Sequence, residues 1–306
     1  MARRFVGGVW RAALALAGAV MLSTEARGQS VPLDSVAAAD TSLRHAVRLH
    51  SGSVLLGRIV AITPDSVRIE LEGGGSLAVP RAAVRNVDQF SAARLRNGRY
   101  WFENPHATRL LFSATAFPLG TGNGYYANTW LFFNTFATGL TDRVSVGVGF
   151  SLFPGADFSD NIFWVLPKVT VIDAPRAKVA LGAFAGVLPV GGDGDGFGDR
   201  HTSAGILYGV GSTGSTDSNL SLGLGWGYVG AQLADRPIVM VGGQGRVLRR
   251  LALITENWFI PVDGRAEGIM SAGLRFLSEG VSADIAFVRP TDVPVYWPWV
   301  GIAFRF

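Results

Sequence analysis

Ten polar side chains interrupt strand-like runs that are largely apolar or small: Arg109, Asn128, Asn134, Lys168, Gln244, Arg246, Glu256, Arg275, Asp284 and Arg305. Isolated charges of mixed sign support two kinds of chemistry. They can neutralise one another and fill a confined interior, or they can line a passage for a polar solute, where an excess of arginine favours anions. Two further groups could react or ligate. Asp193, Asp195 and Asp199 lie in the acidic glycine-rich run 191–199 at a spacing that could hold Ca2+, although no bidentate Glu follows. His201 and Ser203 could form the core of a lipid hydrolase, although no Gly-x-Ser-x-Gly surrounds the serine. The stretch Gly209–Gly214 matches a dinucleotide-type glycine pattern, but matches are expected in a chain with 40 glycines and no βαβ unit frames this one. With no cysteine, thiol nucleophiles, thiolate metal sites and disulfides are excluded.

These side chains need elements to hold them, and the pattern around them has period two. In Val144–Leu152 the even positions are large and apolar, and the odd ones are Ser or Gly. Leu220–Tyr228 repeats the arrangement, and Met270–Phe276 and Val281–Val288 alternate likewise. In a soluble sandwich the second face is usually charged; here it is small, as expected when apolar side chains face lipid and small or polar ones face a crowded lumen. A charge on the lipid side near the midplane would cost about 2–4 kcal/mol, so the ten polar residues are assigned to the inner face. Segments centred near 112, 131, 148, 166, 183, 207, 224, 242, 255, 272, 285 and 301 give twelve expected strands, with ten as the alternative because 249–260 alternates poorly. Short connections fall at 139–142, 213–217, 248–250 and 278–280, and aromatics that include Trp164 and Trp258 are expected in a girdle at the opposite end.

Composition agrees. Hydrophobic residues are 48% and charged ones 16%, yet after the first 25 residues no apolar run reaches the roughly 18 residues of a membrane helix. Arg3 and Arg4, an uncharged run from residue 12 to 24, and Ala26-Arg27-Gly28 predict a cleaved signal peptide over 1–28. Removing Arg3, Arg4, Arg11, Arg27 and Glu25 from 27 basic and 23 acidic residues leaves 23 and 22, or +1. That near-neutral balance argues against a nucleic-acid partner.

The chain ends on Phe306, with Tyr296, Val300, Ile302 and Phe304 on the same parity. This resembles the terminal strand of Gram-negative outer-membrane barrels, and the resemblance implies recognition by the barrel assembly machinery and residence in outer-membrane lipid. Residues 29–44 read as a linker. In 45–90, Gly-Ser-Val-Leu-Leu-Gly-Arg-Ile followed by a second hairpin and Leu-Ala-Val-Pro resembles SH3-like or Sm-like small β modules, which implies binding of a periplasmic protein or peptide. His45 and His50 read as surface residues. Residues 91–104 read as a connector whose Arg94, Arg96 and Arg99 precede Tyr100-Trp101-Phe102, an order suited to a membrane interface or to an ordinary interdomain helix.

The sequence thus predicts an all-β chain: a small SH3-like module followed, over 105–306, by an up-and-down transmembrane barrel of about twelve strands, with the module in the periplasm. The expected function is a narrow channel, a solute-binding barrel or a structural barrel, with no required cofactor beyond the Ca2+ option at 191–199. The alternatives are a lipid hydrolase using His201 and Ser203, or a plugged adhesion-type barrel.

Overall fold

The computed structural model describes residues 29–33, 36, 42–96, 99–155, 157, 160–190, 200–262 and 265–306. The expected leader 1–28 and the loop carrying Asp193, Asp195 and Asp199 lie outside them. The described chain divides into two units, one ending at Glu103 and the other running from Asn104 to Phe306.

In the first unit, β1 (Gln29–Val31), β2 (Leu43–Leu49), β3 (Val54–Ile62), β4 (Ser66–Leu71), β5 (Ser76–Pro80) and β6 (Val84–Ser91) form an antiparallel sheet in the order β1-β6-β2-β3-β4-β5. The alternation in β4 buries Val67 and Ile69 and exposes Arg68 and Glu70, so one face packs with Val47, Ile59, Val79 and Val87. Two expectations are corrected here. Residues 29–31, read as linker, add a strand to β6. His45 is fully buried, because its Nδ1 accepts the Ile59 N–H at 3.2 Å. The connector holds β7 (Leu95–Arg96) and β8 (Arg99–Tyr100), a two-residue pairing, and among its described residues no helix longer than one turn. Its basic-aromatic run is engaged within the unit: Tyr100 packs on Phe90 with ring centroids 4.3 Å apart, and the Arg96 guanidinium lies 4.4 Å from the centre of Trp101.

The second unit is a closed antiparallel barrel. Its strands are β9 (Gly124–Thr129), β10 (Phe133–Gly139), β11 (Val144–Ser151), β12 (Phe163–Val165), β13 (Lys168–Asp173), β14 (Ala177–Val190), β15 (Arg200–Gly214), β16 (Ser218–Val229), β18 (Ile238–Leu248), β19 (Leu251–Val262), β20 (Arg265–Leu277), β21 (Val281–Pro290) and β22 (Trp297–Arg305), while β17 (Gln232–Leu233) is a short addition to β16. β12 and β13 both lie between β11 and β14 and are one strand interrupted at Leu166-Pro167, where proline has no N–H for the ladder. Twelve staves result, and β22 pairs with β9 to close the ring. Closure leaves no open edge, the condition for strands to cross lipid.

Two expected strands change identity. The segment centred at 112 is not a stave. The segment centred at 131 is two staves, β9 and β10, joined at Trp130-Leu131. That turn carries none of the usual Gly, Asn or Asp. Trp130 and Leu131 instead adopt positive φ, 51° and 67°, as a tight hairpin turn demands of both central residues. The indole makes the arrangement useful: Trp130 Nε1 donates to the Pro298 carbonyl at 2.7 Å, satisfying a β22 group above the point where β9 stops. Sequence patterning has no signal for a turn made this way.

The outer surface carries the alternating apolar residues. Along β16, Leu220, Leu222, Leu224 and Trp226 are exposed while Asn219 and Ser221 are buried. Inward glycines make room for large neighbours: a Cβ at Gly149 would lie 2.1 Å from the Trp164 ring, and one at Gly182 would lie 2.5 Å from the Tyr208 hydroxyl.

Candidate functional site: the barrel lumen

Residues 104–117 run inside the barrel. Asn104, His106, Ala107, Leu110, Leu111, Thr115, Ala116 and Phe117 are all buried. The segment folds back on itself as a miniature hairpin: Leu110 N–H donates to Ser113 O at 2.8 Å, Thr115 N–H donates to Thr108 O at 3.0 Å, and Arg109 bridges to Ala114. It read as a strand because it is an apolar run of strand length, and most of it is buried against the wall.

Inward side chains of the wall hold this plug. Arg275, fully buried, donates Nε to Asp284 Oδ1 at 2.6 Å and Nη2 to Asp284 Oδ2 at 2.9 Å. Its remaining donors reach Gln244 Oε1 at 3.0 Å and three plug carbonyls, those of His106, Arg109 and Leu110, at 3.2, 3.1 and 2.8 Å. The plug returns one charge of its own, since Arg109 Nη2 donates to Asp284 Oδ2 at 3.3 Å. On β19, between the strands of Gln244 and Arg275, Glu256 accepts the N–H groups of Phe112 (2.9 Å) and Ser113 (3.1 Å) and the Trp258 indole N–H (2.7 Å). Lys168 donates to the carbonyls of Thr115 (3.0 Å) and Phe117 (2.8 Å), and Ser212 Oγ accepts the Ala116 N–H at 2.9 Å. Backbone groups of a non-strand segment at membrane depth need such partners, because lipid offers none. Sequence reasoning missed Ser212 and the adjoining Ser221, 2.7 Å apart; Ser221 sits on the small-residue parity of β16, whereas Ser212 shares the inward parity of Ile206, Tyr208 and Val210.

The structure brings Arg109, Lys168, Gln244, Glu256, Arg275 and Asp284 together around the plug, with Arg109 supplied by the plug and not by a stave. Arg246 lies apart, near the short turns, paired with Asp217 at 2.9 Å. Arg305 shares the inward face of Tyr125 but is exposed at the rim, donating to Asn123 Oδ1 at 2.6 Å. Asn128 and Asn134 are a correction: they face outward with Tyr126 and Phe136, while Tyr125, Ala127, Thr129, Phe133 and Thr135 line the interior. The two share a face with or without the turn between them; the inward assignment rested on their polarity alone. Their outward position is tolerated because the polar atoms satisfy one another: Asn134 Oδ1 accepts from Asn128 Nδ2 (3.0 Å) and Tyr126 Oη (2.7 Å), and Asn134 Nδ2 donates to Phe132 O. Of the terminal residues, Val300, Ile302 and Phe304 lie in β22. Tyr296 precedes it, and Phe306 continues its ladder through reciprocal 3.0 Å backbone bonds with Gly124.

Beside the plug the lumen contains a cavity of about 450 Å³. Trp164, Trp258 and Trp299 border it along with Phe112, Phe184 and Ile206, so Trp164 and Trp258, expected in a girdle, are interior, as is Tyr125. Its charged lining residues are Arg109 and Lys168. His201 and Ser203 are exposed on the parity of Leu207, the outward face of β15, and do not border the cavity. Among the described residues no group of three His, Cys, Asp or Glu is placed to hold a metal.

No family model and no curated protein matches the sequence. Among solved structures, similarity is found to the KdgM porin in complex with disordered oligogalacturonate, with TM-score 0.44 and 7% identity, covering 60% of this chain and 98% of the porin. A loop L8 deletion mutant of OmpT, an outer membrane protein of Vibrio cholerae, gives TM-score 0.36 and 12% identity over 87% of this chain and 97% of the other. On its own geometry, the chain is an all-β protein built on a closed twelve-strand barrel of the outer-membrane type.

Proposed function

We propose that this is an outer-membrane barrel that binds a solute within a lumen closed by its own residues 104–117, a plugged narrow barrel without a standing water-filled channel. The observation that carries the reading is Arg275, fully buried and bound at once to Asp284 and to three plug carbonyls. Charges that line a conducting pore keep their contact with water; these are spent on protein groups. The exposed apolar residues of the outer face support membrane residence, and the terminal strand with Phe306 supports delivery by the barrel assembly machinery. The N-terminal unit belongs in the periplasm on this reading. Support comes from the plug's start, where Asn104 Nδ2 donates to Thr216 O in a short turn, the kind of connection that faces the periplasm in single-chain bacterial barrels. Its edge strand β5, with Leu77 exposed, suits addition of a strand from a periplasmic protein or peptide.

Planar-bilayer recording tests the closed lumen. Correctly folded protein, verified by heat-modifiable gel migration, is expected to be electrically silent; a steady single-channel current from it overturns the plugged reading.

A further inference from the structure

The cavity beside the plug has a composition that its anchoring role does not explain. It is walled by aromatic and aliphatic side chains, and its two charged lining residues, Arg109 and Lys168, are both cationic. Arg109 has a counter-ion in Asp284. Lys168 is buried and donates to two carbonyls, while no carboxylate lies within ion-pair distance of it among the described residues. An ammonium group has three donors, so one is left. A buried cation without an anion is unfavourable, and within a membrane-spanning wall an ionisable residue of this kind marks a functional site.

Resting on the plugged-barrel reading, we propose that the cavity binds a single-chain carboxylate amphiphile, a fatty-acid anion, with its alkyl chain among the aromatic residues and its carboxylate on the Lys168 ammonium. Size agrees: an apolar cavity of about 150 Å³ stays dry and accepts a benzene, and this one has about three times that volume. Mostly apolar walls with few polar groups are the usual make-up of a small-molecule site. Setting agrees as well. Trp130, at the tip of the short β9–β10 hairpin, borders the cavity and is itself 37% exposed, so one side chain connects the interior with the surroundings of the barrel. The carboxylate supplies the anion that Lys168 lacks, and a charge-assisted hydrogen bond in a dry site is among the stronger polar contacts.

The test uses the full chain in nanodiscs of zwitterionic lipid, with cis-parinaric acid and its methyl ester as probes. Binding is read by energy transfer from the cavity tryptophans. The acid is expected to bind saturably and at least about tenfold more tightly than the ester. Lys168→Met should remove that preference by weakening acid binding far more than ester binding, and Lys168→Arg should keep it. Thr135→Phe, which fills the cavity from the wall, should abolish binding of both probes. Transfer no greater than in protein-free discs overturns the proposal, as does equal affinity for acid and ester in the wild type. The second comparison needs no variant, so it stands even if Lys168→Met fails to fold. Conductance decides the plug separately: a conducting wild type that still prefers the acid removes the plugged reading and keeps this site, and a silent one that binds neither probe does the reverse.

Discussion

Replacing Arg275 by Met isolates the contact that holds the plug. The guanidinium makes six polar contacts, two to Asp284, one to Gln244 and three to plug carbonyls. Methionine keeps much of the side chain's length and removes all six. Asp284 then retains Arg109 alone, at 3.3 Å. Removing one partner of a buried ion pair costs about 3–5 kcal/mol. Half of the lost contacts belong to the plug, so about 1.5–2.5 kcal/mol should be lost from the plugged state relative to an unplugged barrel. At about 1.4 kcal/mol per factor of ten, the ratio of plugged to unplugged barrels falls roughly 10- to 60-fold. Two assays read this shift. Bilayer recordings should show transient openings that the wild type lacks. Limited trypsin digestion should cut after Arg109, a bond enclosed in the wild-type lumen. Arg275→Lys should lie between the two, because a point charge cannot span Asp284 and three carbonyls together. If folded Arg275→Met protein stays silent and its Arg109 bond stays resistant, the cluster is not what keeps the plug in place.

The other predictions concern the barrel and its rim. Leu131→Gly should raise stability by about 1 kcal/mol, since a left-handed backbone costs a residue with a Cβ about 1–2 kcal/mol; a lower denaturant midpoint would contradict the hairpin geometry. In the rim turn, the Thr121 hydroxyl (2.6 Å) and N–H (3.2 Å) both donate to Asp142 and hold its carboxylate below the ordinary range. The sign follows: this contact is complete above the unfolded carboxylate's pKa and is lost as pH falls through the depressed one. An NMR titration of Asp142 should show the depression, and Thr121→Val should reduce it, leaving the part due to the Thr121 N–H. Deleting Phe306 removes the backbone partner of Gly124 and the terminal aromatic together. Folded barrel in the outer membrane should drop several-fold in cells while refolding in detergent micelles changes little. Equal loss in both settings would assign Phe306 a purely structural role.

Much of the barrel was legible in the sequence because period-two alternation is a local property. Each stave from β14 to β22 buries one parity against the lumen and offers the other to lipid, so residues such as Leu220 and Ser221 declare their faces without knowledge of their neighbours. The inward facing of Gln244, Arg275 and Asp284 was legible for the same reason. Lumen contents were not. Whether Arg275 fills space, lines a pore or clamps a segment depends on what lies across the barrel, and its plug partners are 165 to 169 positions away in the chain. Residues 104–117 imitate a strand because an apolar run of strand length has the same composition whether it forms the wall or lies inside it. The Trp130-Leu131 turn escaped notice because its positive φ values are held by an indole bond to Pro298, a tertiary contact, and not by glycine. Asn128 and Asn134 were misassigned because polarity was taken for an inward face, whereas their amides satisfy each other on the outer one. Alternation, then, fixes which faces meet lipid; only the closing of β22 onto β9 decides what is enclosed, because enclosure is a relation among strands that no single strand records.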